Sequence, residues 1–183
     1  MQTVYETDRL LLKVLGPSHA ELTLEYYLRN CSFLKVWEPV REEAFFTVEK
    51  QRELLTQDQT DFESGRVFRA WIFKKGEEDR AIGTFGFSNI VRGGFLSCFL
   101  GYKLDGEETG KGYMAEALQK GISIMFEEYG LHRIEANIMP KNKASLRMVE
   151  KLGFCNEGLS RQYLKINGVW EDHIHMALLN DKV

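Results

Sequence analysis

The chain has 183 residues, 44% of them hydrophobic and 28% charged, the balance of an ordinary globular domain. A formal net charge of −3 argues against a nucleic-acid partner, and no apolar run approaches the roughly 20 residues that cross a bilayer. The opening MQTVYETDRLLLKVL lacks the apolar centre of a signal peptide, so a cytoplasmic protein is expected. Cys31, Cys98 and Cys155 are too scattered for a disulfide frame or a zinc site and read as small core residues in a reducing compartment.

Thr7 to Val14 reads as a first strand. Ser18 can cap a helix to about Asn30, with Ala20, Leu24, Tyr27 and Leu28 as its inner stripe. Phe33 to Phe46 is irregular and aromatic; Trp37, Phe45 and Phe46 could line a site or simply pack beneath it. Thr47 can cap a second helix to about Ser64, with Val48, Leu55 and Phe62 inward and Gly65 as its stop.

Three runs follow, Val67 to Lys74, Ala81 to Val91 and Phe95 to Leu104, separated by turns at 75–79 and 92–94; they predict an antiparallel meander. The period then becomes helical from Gly112 to Tyr129, with Met114, Leu118, Ile122, Met125 and Phe126 on one face. Arg133 to Met139 is a strand, and Asn142 opens a short helix closed by Gly153. Cys155 to Ile166 and Val169 to Leu179 form a hairpin turned by Asn167-Gly168. With no linker and no repeat, residues 1–183 read as one domain of mixed α+β or α/β class.

The segment EETGKGYMAEAL, Glu107 to Leu118, places two glycines and a lysine at the mouth of a helix. The first helical turn carries unpaired N–H groups and a partial positive charge, and residues without side chains let a phosphate reach those amides. Gly110, Lys111, Gly112, Tyr113 and Met114 are therefore candidates for holding an anion. The plainer reading is a tight strand-to-helix turn. The loop is too short for GxxxxGK followed by Ser or Thr, and it lacks the third glycine of a dinucleotide fingerprint.

This loop, together with HRIEANIMPKNKASLRMVEKLGFCNEG from His132 to Gly158, resembles the GNAT superfamily of acetyl-CoA-dependent N-acyltransferases. The sub-pattern Asn142-x-x-Ser145, Glu150-Lys151-Leu152-Gly153-Phe154 and Glu157-Gly158 looks like its ribosomal-protein N-terminal acetyltransferase branch. TDRLLL at 7–12 and Asn167-Gly168 with Asp172 agree with it. The resemblance spans nearly the whole chain and is most specific from Leu100 to Gly158. Two positions depart from it. Glu107 stands where the family has Gln or Arg, and Val149 stands where many members carry a tyrosine, seven residues after the helix-opening asparagine.

The resemblance implies a twisted mixed sheet of about six to seven strands, splayed in the middle and flanked by about four helices. It implies acetyl-CoA as co-substrate, no metal, and an amine acceptor, most simply a protein N-terminus, for a monomer or homodimer without nucleic-acid or membrane partners. Alternatives are acetylation of a small amine such as a polyamine, amino acid or aminoglycoside, or a non-catalytic acyl-CoA-binding module. The backbone of Leu100, Tyr102, Lys103 and Leu104 would pair with the pantetheine arm, and amides at 100–102 would polarise the thioester carbonyl. Gly101 reads as a strand irregularity or a bulge that could open the slot. Asn142 would contact the cofactor or cap its helix. Ser145 would hydrogen-bond the leaving sulfur or bond its own helix backbone. Arg133, Glu135 and Asn137 alternate onto one strand face; Glu135 could take the amine proton through water, or pair with a neighbouring arginine, and Asp172 is a second carboxylate candidate. His173 and His175 lack a third ligand and read as strand histidines.

Overall fold

The computed structural model describes residues 2–182. Among these residues eight strands form one sheet in the order β1-β2-β3-β4-β5-β6-β8-β7, accompanied by four α-helices. The strand count exceeds the expected six to seven partly because TDRLLL is not a single strand. Thr7 turns the chain between β1 (Val4–Glu6) and β2 (Leu10–Lys13). Its N–H donates to the Leu10 carbonyl at 3.0 Å, and its hydroxyl oxygen accepts the Leu10 N–H at 3.0 Å.

Ser18 does not cap a helix. A short 3₁₀ turn at Pro17–His19 leads into α1 (Ala20–Leu34), which has no side-chain cap and runs past Asn30. Its buried side is Ala20, Thr23, Tyr26, Tyr27, Asn30 and Leu34; Leu28 is exposed. The second helix, α2 (Val48–Glu63), starts as its sequence predicts, with the Thr47 hydroxyl oxygen accepting the Lys50 N–H at 3.2 Å. Gly65, at φ +69°, ends it, its N–H donating to Phe62 O at 3.0 Å.

The expected meander is present as β3 (Phe68–Lys74), β4 (Glu77–Val91) and β5 (Ser97–Leu104), all antiparallel. β4 begins at Glu77, so the first turn is tighter than 75–79, and Gly76 takes φ +84° within it. Helix α3 (Tyr113–Ser123) follows, then a wider turn over Ile124–Glu128 in which Tyr129 N donates to Ile124 O at 3.1 Å. Met114, Leu118 and Met125 of the predicted face are buried, and Ile122 and Phe126 pack against the same core. The chain closes with β6 (Arg133–Ile138), α4 (Lys143–Lys151), β7 (Cys155–Ile166) and β8 (Val169–Leu179). Asn167 and Gly168 turn the last hairpin at φ +47° and +84°, the pair of positive angles a two-residue turn requires.

One apolar cluster joins α3 and α4 to the sheet through Phe68, Phe85, Phe87, Leu100, Ile134 and Ala136. A second, beneath α1 and α2, gathers Tyr26, Tyr27, Leu34, Leu55, Trp71 and Phe73. Of the cysteines only Cys98 is a core residue; Cys31 and Cys155 are exposed, against expectation. No helix among the described residues is long and apolar enough to cross a membrane.

The sheet parts in its middle. β5 and β6 run parallel and pair at Ser97↔Arg133, Cys98↔Ile134 and Phe99↔Glu135. Beyond that point β5 stays in register with β4 to Leu104, whereas β6 follows β8 to Ile138. A bulge at Gly101 is not the cause, because Gly101 pairs regularly with Gly86. The opening exists because each central strand keeps its other neighbour.

Candidate functional site

The 105–112 loop at the end of β5 is fixed before it reaches the glycines. The Asp105 carboxylate is buried, 1% exposed, and meets Arg29 Nε at 2.9 Å and Arg80 Nη2 at 3.2 Å. It also accepts the Glu107 N–H at 3.0 Å. Burial opposes the charge, but the Glu107 amide and the two guanidiniums outweigh it and hold the carboxyl below its ordinary pKa. Glu107, where the resemblance expects Gln or Arg, pairs outward with Arg80 at 2.9 Å.

Gly110 and Gly112 both adopt left-handed backbone, φ +75° and +81°. A Cβ built on Gly110 would meet nothing within 4 Å, and one on Gly112 would meet only Arg9 Nη2 at 3.4 Å. The Cβ side of both glycines is therefore open, which leaves room for a phosphate to approach this turn. Lys111 is not a free cation: its ammonium donates to Glu108 at 2.8 Å. Met114 is buried and Tyr113 partly buried, so what these residues offer an anion is the backbone N–H.

The N-terminal hairpin supplies a residue that the sequence pattern did not single out. Arg9 Nη1 donates to the Lys111 carbonyl at 3.1 Å, and its guanidinium lies 4.6 Å from the Tyr113 ring centroid. Glu116, in the first turn of α3, accepts from Arg9 Nε at 2.7 Å, Arg9 N at 2.9 Å and the Thr7 hydroxyl at 2.6 Å. Thr7 and Arg9 thus clamp the cradle to the sheet edge, the physical content of the TDRLLL motif. Burial works against the Glu116 charge, but these bonds hold its pKa below the ordinary value.

On the face covered by α3 and α4, the Tyr102 hydroxyl is hydrogen-bonded to the Ser145 hydroxyl. Burial pushes the phenol's pKa up to about 12, with the Ser145 bond acting in the opposite direction. The Ser145 side chain therefore reaches β5 instead of its own helix, while its N–H donates to the Asn142 Oδ1 cap at 3.2 Å. Val149, at the position of the family tyrosine, is fully buried. The missed signal was strand alternation: Leu100 and Tyr102 share a face, so the phenol had to point toward α4.

On the opposite face, Glu135 accepts from Arg133 Nε at 2.8 Å and lies 3.8 Å from His175 Nδ1. Arg133 also holds Glu157 at 3.0 Å. The arginine pairing read as one alternative for Glu135 is present, with an imidazole beside it. Asn137 donates to the Tyr163 hydroxyl at 3.2 Å, leaving its buried Oδ1 without a partner. Asp172 is occupied in accepting the Gln162 N–H at 2.8 Å, at the irregular stretch of β7. Among the described residues no three His, Cys, Asp or Glu side chains gather as a metal site.

A cleft of about 370 Å³ lies on this second face, lined by Tyr27, Cys31, Leu34, Glu38, Phe45, Phe46 and Asn167 among others. The aromatic 33–46 segment and the final hairpin contribute to it; α2 and Trp37 do not. Lys103 points here, paired with Glu38 and 5.2 Å from the Tyr27 ring centroid, and its backbone pairs with Thr84 of β4, so against expectation Lys103 does not face the opening. Beside the opening lie the Tyr102 and Ser145 hydroxyls on one face of the sheet and the Glu135 carboxylate with the His175 imidazole on the other.

Residues 9–155 match the family model of the acetyltransferase (GNAT) domain. The chain is 40% identical over 172 residues to [Ribosomal protein uS5]-alanine N-acetyltransferase of Escherichia coli, covering 94% of this chain and 88% of that one. It is also 40% identical over 171 residues to a probable N-acetyltransferase, YjcK, of Bacillus subtilis, covering 93% and 94%. The crystal structure of ribosomal-protein-S5-alanine acetyltransferase from Vibrio fischeri superposes with a TM-score of 0.94 at 37% identity, over 98% of each chain. Mycobacterium smegmatis RimJ, solved in complex with CoA-disulfide, superposes with a TM-score of 0.91 at 26% identity, over 100% of this chain and 89% of that one.

Proposed function

The chain belongs to the acetyltransferase (GNAT) domain family, and we propose that this acetyl-CoA-dependent N-acetyltransferase acts on the N-terminal α-amine of a protein, with ribosomal proteins as the substrate class. It does so as one cytoplasmic domain. The observation that carries this reading is the opening beyond Phe99 and Glu135, with the bare glycine loop following the unpaired end of β5. The relatives named for acetylating the alanine of a ribosomal protein support the choice of acceptor.

Acetyl-CoA supplies an acetyl group activated as a thioester. The amides at Gly110, Gly112, Tyr113 and Met114 would hold its diphosphate, and the backbone of Leu100, Tyr102 and Leu104 its pantetheine arm, as an added strand. Amides at 100–102 would face the oxygen on which negative charge develops. Asn142 fixes the start of α4, and Ser145 presents a hydroxyl on the sulfur side. Glu135, beside His175 on the amine side, would receive the proton through water. That demand is small, because an α-amine of pKa about 7.8 is already about one-third neutral at pH 7.5.

The experiment is an acetylation screen with acetyl-CoA over short peptides with free α-amines, the same peptides α-blocked, polyamines, amino acids and aminoglycosides. Free-α-amine peptides should turn over and blocked ones should not. Faster turnover of a small amine would replace the acceptor reading. Tight CoA binding without turnover of any amine would favour the non-catalytic module.

A further inference from the structure

Val149 leaves the family's tyrosine position without a proton donor, yet a phenol lies on the same face of the sheet, on the unpaired stretch of β5. Tyr102 lies three residues past Phe99, the last β5 residue paired with β6, so it stands about 10 Å along the unpaired stretch. Ser145 lies on α4, the helix that follows β6. Their hydroxyl–hydroxyl bond thus ties the unpaired stretch of β5 to the helix that follows β6.

Two hydroxyls own two O–H donors, and the bond between them uses one. The pair therefore keeps one O–H for a third partner. A phenol, with an ordinary pKa near 10, is the stronger donor of the two, and it is aimed best when Ser145 donates into its oxygen. We propose that the Tyr102 hydroxyl donates the hydrogen bond to the leaving sulfur of acetyl-CoA and that Ser145 is its positioning residue. This rests on the acetyl-transfer reading and names its sulfur-side donor.

In the step, the amine nitrogen bonds to the acyl carbon, the carbon–sulfur bond breaks, and its electron pair leaves on sulfur. The nitrogen loses one proton to water or to Glu135, and the sulfur gains one. Because burial raises the Tyr102 pKa to about 12, the phenol keeps its proton at neutral pH. A thiol titrates near 8.5, so the phenol steadies the thiolate by hydrogen bonding, and solvent supplies the proton that completes the thiol. Amine plus thioester becomes amide plus thiol, and Tyr102 is unchanged.

The test combines Tyr102→Phe, Ser145→Ala, Ser145→Thr and the Tyr102→Phe/Ser145→Ala double variant. Wild type and Tyr102→Phe are also titrated with CoA and with CoA lacking its sulfur. Tyr102→Phe should lower kcat at least about tenfold with KM for acetyl-CoA and Tm little changed. The double variant should be no slower than Tyr102→Phe, and Ser145→Thr should recover most of the loss of Ser145→Ala. Above pH 8.5, Tyr102→Phe should weaken binding of CoA several-fold but not of the sulfur-free analogue. An unchanged kcat in Tyr102→Phe, or equal weakening of both ligands, overturns the assignment. Should Tyr102→Phe not fold, a Ser145→Ala variant with full kcat and an unshifted thiol pKa for bound CoA overturns it as well. The CoA titrations need no acceptor, so failure of every peptide as substrate would count against the function and leave this assignment tested separately.

Discussion

Substituting Gly112 by alanine separates the cost of backbone strain from the loss of an anion site. Gly112 sits at φ +81°, where an L side chain costs about 1–2 kcal/mol. Its new Cβ would touch Arg9 Nη2 at an ordinary 3.4 Å, so no further clash is expected. For a domain of this size the strain alone should lower Tm by about 2–8 °C. Gly65, at φ +69° and with nothing within 4 Å of a built Cβ, provides the matched control at the far end of α2. Gly65→Ala should show a similar Tm loss and leave CoA affinity intact. Gly112→Ala should also place a methyl group between phosphate and amide. Losing one charge-assisted N–H bond, worth about 1.5–3 kcal/mol, weakens CoA binding about 10- to 150-fold. Calorimetric titration of both variants with CoA at one fixed salt concentration reads this directly. If both variants lose the same Tm and both keep CoA affinity within about twofold, the cradle assignment is wrong.

Gly121 lets α3 approach the sheet, since a Cβ there would lie 2.6 Å from Phe85 Cε2. Gly121→Val should therefore cost about 1–3 kcal/mol or more and appear as a lower denaturation midpoint with CoA affinity reduced only in proportion to the unfolded fraction. Asp105→Asn should destabilise the fold and weaken CoA binding together, because one carboxylate ties Arg29, Arg80 and the start of the loop; equal CoA affinity would show that the tie does not reach the cradle. Asp105 and Glu116 both have pKa values below their ordinary ones, so each contributes stability above the unfolded pKa of about 4. That contribution is lost as pH falls through the lower folded value, and Glu116→Gln should flatten the acid limb of a Tm-against-pH curve. Glu135→Gln should lower kcat most below pH 7.5, where the amine is protonated, with little change above pH 9; a uniform loss at all pH values would make Glu135 a structural partner of Arg133.

Much of the fold could be read from local chemistry. Thr47, Gly65, Asn142 and the Asn167-Gly168 turn stand where capping and turn rules put them, because those rules depend on a few adjacent residues. The readings that failed depended on distant partners. Leu28 fits the helical period of α1, but the second cluster lies under Tyr26, Tyr27 and Asn30. Thr7 reads as a strand residue until its hydroxyl is needed to cap the Leu10 amide and reach Glu116. Within the site, the glycine loop was legible because it is contiguous. The Arg9 clamp and the Tyr102–Ser145 pair were not, since each joins segments separated by 107 and 43 residues respectively. Gly101 looked like the cause of the opening, whereas the cause is the competing loyalty of β5 to β4 and of β6 to β8.

Amide hydrogen exchange of the full chain, with and without saturating CoA, tests most directly whether the co-substrate occupies the parted strands. Protection should appear in two separate stretches, residues 100–104 on β5 and 110–114 at the start of α3, and should be lost at the second stretch in Gly112→Ala. Saturable CoA binding with protection confined to other segments would contradict the placement on which every residue role rests.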